Sequence, residues 1–374
     1  MLSRQQEKPN FFKKSLIKKE KQKLEVIKMG DFNDEIANFQ VEQARIMVVG
    51  CGGGGTNTIN RLTEMGITGA ATVAANTDAK HLAVIKAQKK ILLGRELTRG
   101  LGAGGYPEVG KKAAEESKNE IREAMQGCDL VFLTCGLGGG TGTGSAPVVA
   151  YMAKEMGAIV IAAVTLPFKI EGARILKAEE GLAKLREVCD TVIVIENQKL
   201  VELAGNRPLK EAFGVADGLI ATMIKGITET ISQPSLVNLD YADVRTIMRA
   251  GGVATIGVGE SDSQNRAKEA ITKALSHPLL DVDYSGAKGA LIQVIGGDDM
   301  KLEEISTIGE MVSQHMDPEA TVMWGARILP EFKGRIQVIT IITGVKSPYI
   351  LGKSMHGGFN KAKAQNDLGI EVLV

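Results

Sequence analysis

Six of the twelve residues between Gly136 and Pro147 are glycine, and this segment constrains the fold more than any other. It reads GLGGGTGTGSAP, after an apolar run at 128–135 and before a run with helical character at 146–156. A glycine-rich turn between a strand and a helix lets backbone N–H groups approach an anion, and the helix dipole favours negative charge there. The segment therefore predicts a phosphate-binding turn.

Two further segments have the same character. GCGGGGTN at 50–57 and GLGAGGYP at 100–107 are also glycine-rich turns that adjoin a predicted strand or helix. We call the turn at 50–57 the first turn, the turn at 136–147 the second turn and the turn at 100–107 the third turn. Three such turns on one edge of a sheet favour a single polyphosphate ligand. Glycine required only for tight packing is the alternative explanation for the set.

Between and after these turns the chain alternates apolar strands with helices. Such alternation predicts a parallel sheet covered on both faces, whose ligands bind at the carboxyl ends of the strands. The predicted strands lie at 46–50, 71–75, 90–93, 129–135, 158–165 and 191–195, with helices at 58–65, 109–125 and 175–188.

A long helix is predicted at 208–231, because proline opens it and the next proline is Pro234. Its apolar residues lie on nearly all sides, so we expect it to be buried between two domains. A second αβ unit follows, with strands at 253–259, 290–295, 321–328 and 336–343 and helices at 264–276 and 302–314.

The bulk properties exclude several classes of protein. A length of 374 residues favours two domains with tails, and a net charge of +1 gives no reason to expect a nucleic-acid partner. No apolar run approaches the ~20 residues that span a bilayer, and we expect no secretion signal. The cysteines form no CxxC pair and are predicted to be reduced and buried: Cys51, Cys128, Cys135 and Cys189.

The two ends of the chain differ from the rest. Residues 1–44 carry eight lysines within the first 28 positions and predict a basic, disordered arm. An amphipathic helix on a membrane surface is the alternative for this arm. Residues 347–374 predict a flexible tail whose apolar end inserts into a partner's groove or adds a strand, through Leu368, Ile370, Val372 and Leu373. A frayed end is the alternative.

The first turn also fits the dinucleotide pattern G-x-G-x-x-G, at residues 50–55. The acidic residue expected about 20 residues later is missing. The sequence also contains no GxxxxGK[ST] loop. A NAD-dependent enzyme would leave the other two turns without a function.

The run GGGTGTG at 138–144 matches the GGGTG[ST]G signature of the tubulin/FtsZ family. The chain resembles this family from about residue 45 to 345. The run NLDYADVRTIM at 238–248 is similar to FtsZ, the prokaryotic tubulin-like cell-division GTPase, rather than to tubulin. Gly136-Leu137 and the LGIE run near the end resemble archaeal members, as in the second of two archaeal paralogues.

The resemblance implies a tubulin/FtsZ-like α/β fold: a Rossmann-like parallel-sheet GTPase domain at 45–207, a central helix at 208–235 and a smaller α+β domain at 236–346. It also implies that the three turns bind GTP or GDP together with Mg²⁺. Thr56 and Tyr106 depart from the family's usual residues, and Tyr106 stands where asparagine is common. The residues implied at the phosphates are Gly52, Gly53, Gly54, Gly55, Thr56, Asn57, Ala103, Gly104, Gly105, Gly138, Gly139, Gly140, Thr141 and Gly142.

By the same resemblance Glu171 contacts the ribose and Arg174 lies near phosphate, although the segment that holds Arg174 is one residue shorter than usual. Asn197, which follows glutamate instead of the usual proline, hydrogen-bonds the guanine.

Phe213 and Asp217 lie four residues apart on one face of the long helix, and Phe213 would stack on the base. A carboxylate only accepts hydrogen bonds, whereas guanine N1–H and the N2 amine donate them. Asp217 would therefore select GTP over ATP.

Hydrolysis requires a positioned water, and the turns offer no obvious base. The resemblance assigns this task to Asp240 and Asp243, with Asn238 orienting the water, on the neighbouring subunit. A helix of about 24 residues spans about 36 Å, which separates these residues from their own nucleotide. Such a head-to-tail contact does not close and so produces a filament. Helix N-capping by Asp240 is the structural alternative, and the two roles are compatible.

The implied partners are further copies of the chain, a co-assembling paralogue and a membrane-anchoring division protein that binds the tail. The implied location is cytoplasmic, at a mid-cell division ring. A tubulin-like filament with another task, in cell shape or plasmid segregation, is the alternative within the same fold.

Overall fold

The fold is described from a computed structural model, over residues 44–345 except 205, 234, 238, 250–251, 277–282 and 315. The predicted tail, and the predicted arm up to residue 43, lie outside the described residues. The strands in the described part are β1 (Ile46–Cys51), β2 (Ala70–Asn76), β3 (Lys89–Leu92), β4 (Leu130–Gly136), β5 (Ile159–Leu166), β6 (Thr191–Glu196), β7 (Gly252–Ser261), β8 (Ala287–Gly296), β9 (Met316–Ile328) and β10 (Ile336–Thr343).

The helices in the same ranges cover both faces of these strands. They are α1 (Gly52–Glu64), α2 (Ala79–Val84), α3 (Arg95–Thr98), α4 (Pro107–Glu116), α5 (Lys118–Ala124), α6 (Thr141–Glu155), α7 (Ala173–Val188), α8 (Asn197–Ala204), α9 (Leu209–Ser232), α10 (Tyr241–Arg249), α11 (Arg266–Leu275) and α12 (Leu302–Ser313). Short 3₁₀ helices lie at Lys169–Glu171 and Pro330–Phe332.

All ten described strands belong to one sheet, in the order β3-β2-β1-β4-β5-β6-β7-β10-β8-β9. The strands β1 to β6 are parallel, whereas β10 runs antiparallel to β7 and β8. The two halves join where β6 pairs with β7 over three residues, Thr191–Ile193 with Gly252–Ala254. Sequence patterns predicted both αβ units but not this junction, because it joins residues that are separated in the chain by the long helix.

The long helix α9 packs against both halves of the sheet. One of its faces shares a hydrophobic cluster with residues of β1 and β4 and with residues of β7, β8 and β10. The prediction of burial is therefore confirmed for this face, although Phe213 near the start of the helix is 38% exposed. The buried residues of this face include Ala216, Leu219, Ile220, Met223, Ile224 and Ile227.

Two helices begin earlier than predicted. Helix α1 starts at Gly52 instead of residue 58, and α6 starts at Thr141 instead of residue 146. Glycine disfavours a helix interior by about 1 kcal/mol, so a propensity argument excludes these positions. Packing decides otherwise: a Cβ at Gly55 would overlap the Thr134 carbonyl oxygen, and glycine lets the first turn of α1 lie directly on β4.

The single helix predicted at 109–125 is wrong. The structure has two helices, α4 and α5, with a break at Ser117, where φ is −90° and ψ is 18°. Ser117 is buried, and its Oγ accepts a hydrogen bond from the backbone N–H of Gly94 at 3.0 Å. This tertiary partner lies outside the helical pattern, which is why the pattern did not reveal the break.

The prediction that the cysteines are buried is confirmed for three of them, whereas Cys189 is half-buried. All four are free, and Cys51, Cys128 and Cys135 are buried. Burial raises the pKa of the Cys51 thiol to about 12 and that of Cys128 to about 11. These thiols stay protonated at neutral pH and pack as small apolar side chains.

A partly buried ion-pair network joins α9 to β9. Glu229 accepts a hydrogen bond from Arg327 at 2.8 Å, from Lys225 at 2.7 Å and from the Thr68 hydroxyl at 3.1 Å. Burial acts to raise the pKa of Glu229. The hydrogen bonds from Lys225 and Arg327 outweigh burial and hold this pKa below its usual value.

Replacing Glu229 with glutamine tests this network. At pH 7 we expect Glu229→Gln to lower the free energy of unfolding by about 1–3 kcal/mol, because Arg327 and Lys225 lose an ionised partner. A carboxyl with a lowered pKa stabilises the fold above its ordinary pKa and loses that contribution as the pH falls through its folded value. The deficit of the variant should therefore shrink below about pH 4. Urea unfolding at the two pH values measures it.

The control is Glu123→Gln, since the Glu123 side chain is 77% exposed and pairs only with Lys89 among the ion partners described. This substitution should change stability by less than about 0.5 kcal/mol at either pH. A Glu229→Gln deficit of equal size at both pH values would contradict the lowered pKa.

Candidate nucleotide site

The three glycine-rich turns meet at the carboxyl ends of the parallel strands. Strands β1 and β4 pair along their length, so the turns that follow them are neighbours. A Cβ at Gly54 would lie 3.1 Å from the backbone nitrogen of Gly136, and a Cβ at Gly140 would lie 2.8 Å from the backbone nitrogen of Tyr106. The structure thus brings together the turns predicted at 50–57, 100–107 and 136–147.

The glycines of these turns differ in their surroundings. A Cβ at Gly55 or at Gly144 would overlap a backbone carbonyl oxygen, so packing alone requires glycine there. A Cβ at Gly53 or at Gly139 would meet no protein atom within 4 Å. The space beside Gly53 and Gly139 is open, and backbone groups there can be approached by a ligand.

Hydroxyls and an imidazole lie among the turns. The Oγ atoms of Thr77, which follows β2, and of Thr141 lie 2.6 Å apart. His81 lies with Nδ1 3.3 Å from the Thr56 hydroxyl and with Nε2 3.2 Å from Oδ1 of Asn57. Sequence reasoning missed Thr77 and His81. The signal that could have revealed Thr77 was the polar run NTD at 76–78, which directly follows the predicted strand at 71–75.

The third turn is held in place by α7. Lys177 donates a hydrogen bond to the carbonyl oxygen of Gly105 at 2.8 Å, and its ammonium lies 5.5 Å from the centre of the Tyr106 ring. A cation near an aromatic face is attracted to it. Tyr106, which departs from the usual asparagine, therefore has its own partner in this chain. Ala103 and Gly104 precede these residues in the same turn.

The predicted ribose and phosphate residues, Glu171 and Arg174, form an ion pair with each other. Glu171 also accepts a hydrogen bond from the backbone N–H of Phe168 at 2.9 Å. The backbone of Arg174 lies against the second turn, since a Cβ at Gly138 would lie 2.8 Å from the Arg174 carbonyl oxygen. The pair is thus next to the turns, with the guanidinium bonded to Glu171.

Asp217 is partly buried against α1. The hydroxyl of Thr58 donates to Oδ1 of Asp217 at 3.0 Å. Burial raises the pKa of Asp217 to about 6, although the Thr58 hydrogen bond and the charge of Arg61 act to lower it. Water donates fewer hydrogen bonds to a buried carboxylate than to an exposed one. Paired N–H donors therefore stabilise the ionised form of such a carboxylate strongly. Sequence reasoning missed Thr58, whose side chain is buried on α1.

Phe213 lies one helical turn before Asp217. Its ring meets that of Phe168 edge to face, with centroids 5.6 Å apart and 74° between the planes. The exposed part of the Phe213 ring is accessible for stacking. Asn197 is the first residue of α8, directly after β6, and so lies at the same edge of the sheet as the turns.

Asp240 and Asp243 form a capping box at the start of α10. The N–H of Asp243 donates to Oδ1 of Asp240 at 2.8 Å, and the N–H of Asp240 donates to Oδ2 of Asp243 at 3.1 Å. The capping role is therefore present in the structure, and it leaves further acceptor lone pairs on both carboxylates. Asn238, the third predicted catalytic residue, lies outside the described residues.

This capping box lies at the opposite edge of the sheet from the turns. The Tyr241 hydroxyl, next to the box, donates to the carbonyl oxygen of Asp129 at 3.0 Å. Asp129 precedes β4, whereas the second turn follows β4, and seven strand residues span about 23 Å. The box therefore lies far from the turns of its own chain.

Comparison with known families agrees with this architecture. The model "Tubulin/FtsZ family, GTPase domain" matches residues 45–205, and "FtsZ family, C-terminal domain" matches residues 252–346. The parallel sheet, the three turns and the long helix α9 between the matched regions define a GTPase of the tubulin/FtsZ class.

Individual relatives narrow the assignment. The chain is 62% identical to "Cell division protein FtsZ 2" of Methanocaldococcus jannaschii, over 83% of both chains. It is 57% identical to "Cell division protein FtsZ 1" of Thermococcus kodakarensis, over 87% of both. The solved structure "FtsZ dimer, empty (M. jannaschii)" matches 87% of this chain and 99% of its own, with a TM-score of 0.79 and 50% identity. The chain belongs to the FtsZ family.

These findings confirm the family, its archaeal character, the fold class and the GTPase activity that the sequence predicted. A more distant structure, CetZ2 from Haloferax volcanii, shares the fold at 22% identity and a TM-score of 0.70. No helix in the described ranges is both long and apolar enough to cross a membrane. The roles of individual site residues stay predictions.

The open space beside Gly53 predicts different effects of Gly53→Ala on stability and on GTP binding. We expect Gly53→Ala to change the free energy of unfolding by less than about 1 kcal/mol, because the new methyl group meets no protein atom. The same methyl group should weaken GTP binding at least about tenfold, because it would occupy the space where the resemblance places the phosphates. Calorimetric titration with GTP and urea unfolding measure the two effects.

The matched control is Gly55→Ala, whose methyl group would overlap a carbonyl oxygen and should lower stability by about 2–3 kcal/mol. If Gly53→Ala bound GTP as tightly as the wild type does, the phosphates would lie elsewhere.

The raised pKa of Asp217 predicts pH-dependent affinity for GTP. Protonation removes the acceptor, so affinity should fall as the pH decreases through about 6. The phosphate of GTP itself ionises near pH 6, which also makes the affinity depend on pH. Asp217→Asn is the control, because this variant retains the effect of the phosphate and lacks that of the carboxyl. The variant should bind more weakly than the wild type at pH 7 and show a shallower pH profile. Parallel profiles for the two proteins would show that Asp217 does not accept from the base.

The same shift predicts a gain in stability for Asp217→Asn. A carboxyl whose folded pKa is raised destabilises the fold increasingly as the pH rises from its unfolded pKa, about 4, to its folded pKa, about 6. The cost is complete above about pH 6 and absent where the group is neutral in both states. With a folded pKa of about 6, the variant should be more stable by about 2–3 kcal/mol at pH 7. The gain should vanish below about pH 4, as urea unfolding would show.

Proposed function

We propose that the three turns hold the phosphates of GTP and that Asp217 and Phe213 hold its guanine. Open backbone beside Gly53 and Gly139 at helix N-termini supports the phosphate assignment. The Thr58-oriented carboxylate and the exposed ring of Phe213 support the assignment of the base. Glu171, Arg174 and Asn197 adjoin the same edge of the sheet and complete the proposed contacts to ribose, phosphate and base.

We propose further that Asp240 and Asp243 act on the nucleotide of a neighbouring subunit. The observation that carries this proposal is the position of the capping box at the edge of the sheet remote from its own turns. In the neighbouring site these carboxylates polarise a water and take its proton. The water oxygen bonds to the γ-phosphorus as the bond from phosphorus to the bridging β–γ oxygen breaks. Asn238 is proposed to orient this water.

Mg²⁺ belongs to the same proposal. No group of three or more His, Cys, Asp or Glu side chains in the described part of the chain is arranged to hold a metal. Mg²⁺ usually retains waters and binds through nucleotide phosphates, so a dedicated side-chain cage is not required. The hydroxyls of Thr77 and Thr141 are oxygen donors available beside the turns.

In the proposed contact, the side of one subunit that carries the turns meets the side of the next subunit that carries the capping box. The two surfaces are different. Such a contact is heterologous and produces an open filament. Relatives of this chain are named cell division proteins, and one solved relative is described as a dimer. We therefore propose a cytoplasmic filament at a mid-cell division ring. A co-assembling paralogue and a membrane-anchoring partner of the tail are proposed from the resemblance alone.

The shared site predicts that GTP turnover per molecule rises with protein concentration. Asp240→Asn is the sharpest variant, because asparagine caps a helix about as well as aspartate but carries no charge. We expect it to bind GTP normally and to lose at least about 100-fold in turnover. Turnover per molecule that stays constant down to dilute monomer would show that the site is complete within one chain.

A mixing experiment separates the two halves of the proposed site. Asp240→Asn subunits retain the nucleotide site, and Asp217→Asn subunits retain the capping box. A mixture should therefore turn over GTP faster than either variant alone, because some contacts pair an intact nucleotide site with an intact box. In a parallel mixture, Asp243→Asn subunits take the place of Asp240→Asn subunits. We expect the same increase in GTP turnover over either variant alone.

A further inference from the structure

A cavity of about 370 Å³ lies outside the nucleotide site, between α12 and the strands β8 and β9. Its lining is almost entirely apolar, and it opens beside two side chains that water reaches: Leu302 is 77% exposed and Trp324 is 38% exposed. The residues that form its walls include Ile292 and Val294 of β8, Val322 and Trp324 of β9, and Leu302 and Ile305 of α12.

An open strand edge adjoins this cavity. Strand β9 is the last of the sheet, and in the described residues its outer side is paired only at Ala326, whose N–H and C=O both bond to Val237. Alternate residues of a strand direct their backbone groups to the same side, so Val322 and Trp324 present N–H and C=O at this edge. Open edges of this kind accept an added strand.

The chain contains a segment of matching character at 368–374, LGIEVLV. Extended, this segment places Leu368, Ile370 and Val372 on one face and Glu371 and Leu373 on the other. We propose that this segment pairs with the open edge of β9 and places Ile370 and Val372 in the cavity beside Trp324.

The connection is long enough for docking within one chain. Thr343, at the end of β10, pairs with Gly289 of β8, which pairs with Thr321 of β9. Two strand spacings separate β10 from β9 by about 10 Å. The 22 residues at 346–367 can span up to about 70 Å, so the segment reaches the edge without strain. A short tether of this kind gives a local concentration in the millimolar range.

Charge complementarity supports the same docking. The connection at 346–367 carries four lysines and one aspartate. The helix α12 and the start of β9 carry exposed carboxylates at Glu303, Glu310 and Glu319. Opposite charges bring the connection towards this side of the molecule. The docked segment also covers a strand edge that otherwise pairs readily with another chain.

The test uses the full-length chain with GDP and does not depend on hydrolysis. Trp324 is the single tryptophan, so its fluorescence reports on the cavity. The double variant Ile370→Asp/Val372→Asp should shift Trp324 emission to the red and increase its quenching by acrylamide. Backbone amides of Val322 and Trp324 should exchange with deuterium about tenfold faster, as expected when a segment docked for about nine-tenths of the time is released.

Leu373→Asp is the control, because it adds a charge of the same sign on the opposite face of the segment and should leave both signals unchanged. Identical fluorescence and exchange in the wild type and the double variant would overturn the proposal. Protection that disappears when the wild type is diluted about 100-fold would show a second copy on the edge and would equally overturn docking within one chain.

Discussion

The close approach of helix α1 to strand β4 determines where the rest of the site lies. It depends on Gly55, which leaves room for the carbonyl oxygen of Thr134. This approach places the first and second turns in backbone contact, and the same helix carries Thr58 to the carboxylate of Asp217. The proposed contacts to the phosphates and to the base therefore both depend on the position of helix α1.

The proposed role of Asp217 in recognition has a cost in stability. Burial raises the pKa of Asp217, so its ionised form is disfavoured in the absence of further hydrogen-bond donors. The Thr58 hydroxyl donates one hydrogen bond to this carboxylate. Asp240 and Asp243 show a different solution, since each satisfies the other's backbone N–H while acceptor positions stay open. Structural and proposed chemical roles thus coexist on the same side chains.

Sequence patterns predicted the order of the strands, the long helix and the clustering of the turns, because these follow from apolar periodicity and glycine placement. They did not predict the early starts of α1 and α6 or the break at Ser117, since these depend on tertiary contacts that override propensity. Thr58, Phe168 and His81 were missed for a related reason. Each of them contacts a residue that is distant in sequence: Thr58 contacts Asp217, and Phe168 contacts Phe213. No rule based on sequence spacing reveals such contacts.

The short junction between β6 and β7 has a mechanical consequence. Three residue pairs hold the two halves of the sheet there, against eight between β7 and β10. The apolar face of α9 packs against both halves as well, and apolar packing is non-directional. The halves can therefore tilt slightly about this junction at the expense of few hydrogen bonds. In a polymer of such subunits, bending compliance would reside within each subunit as well as between subunits.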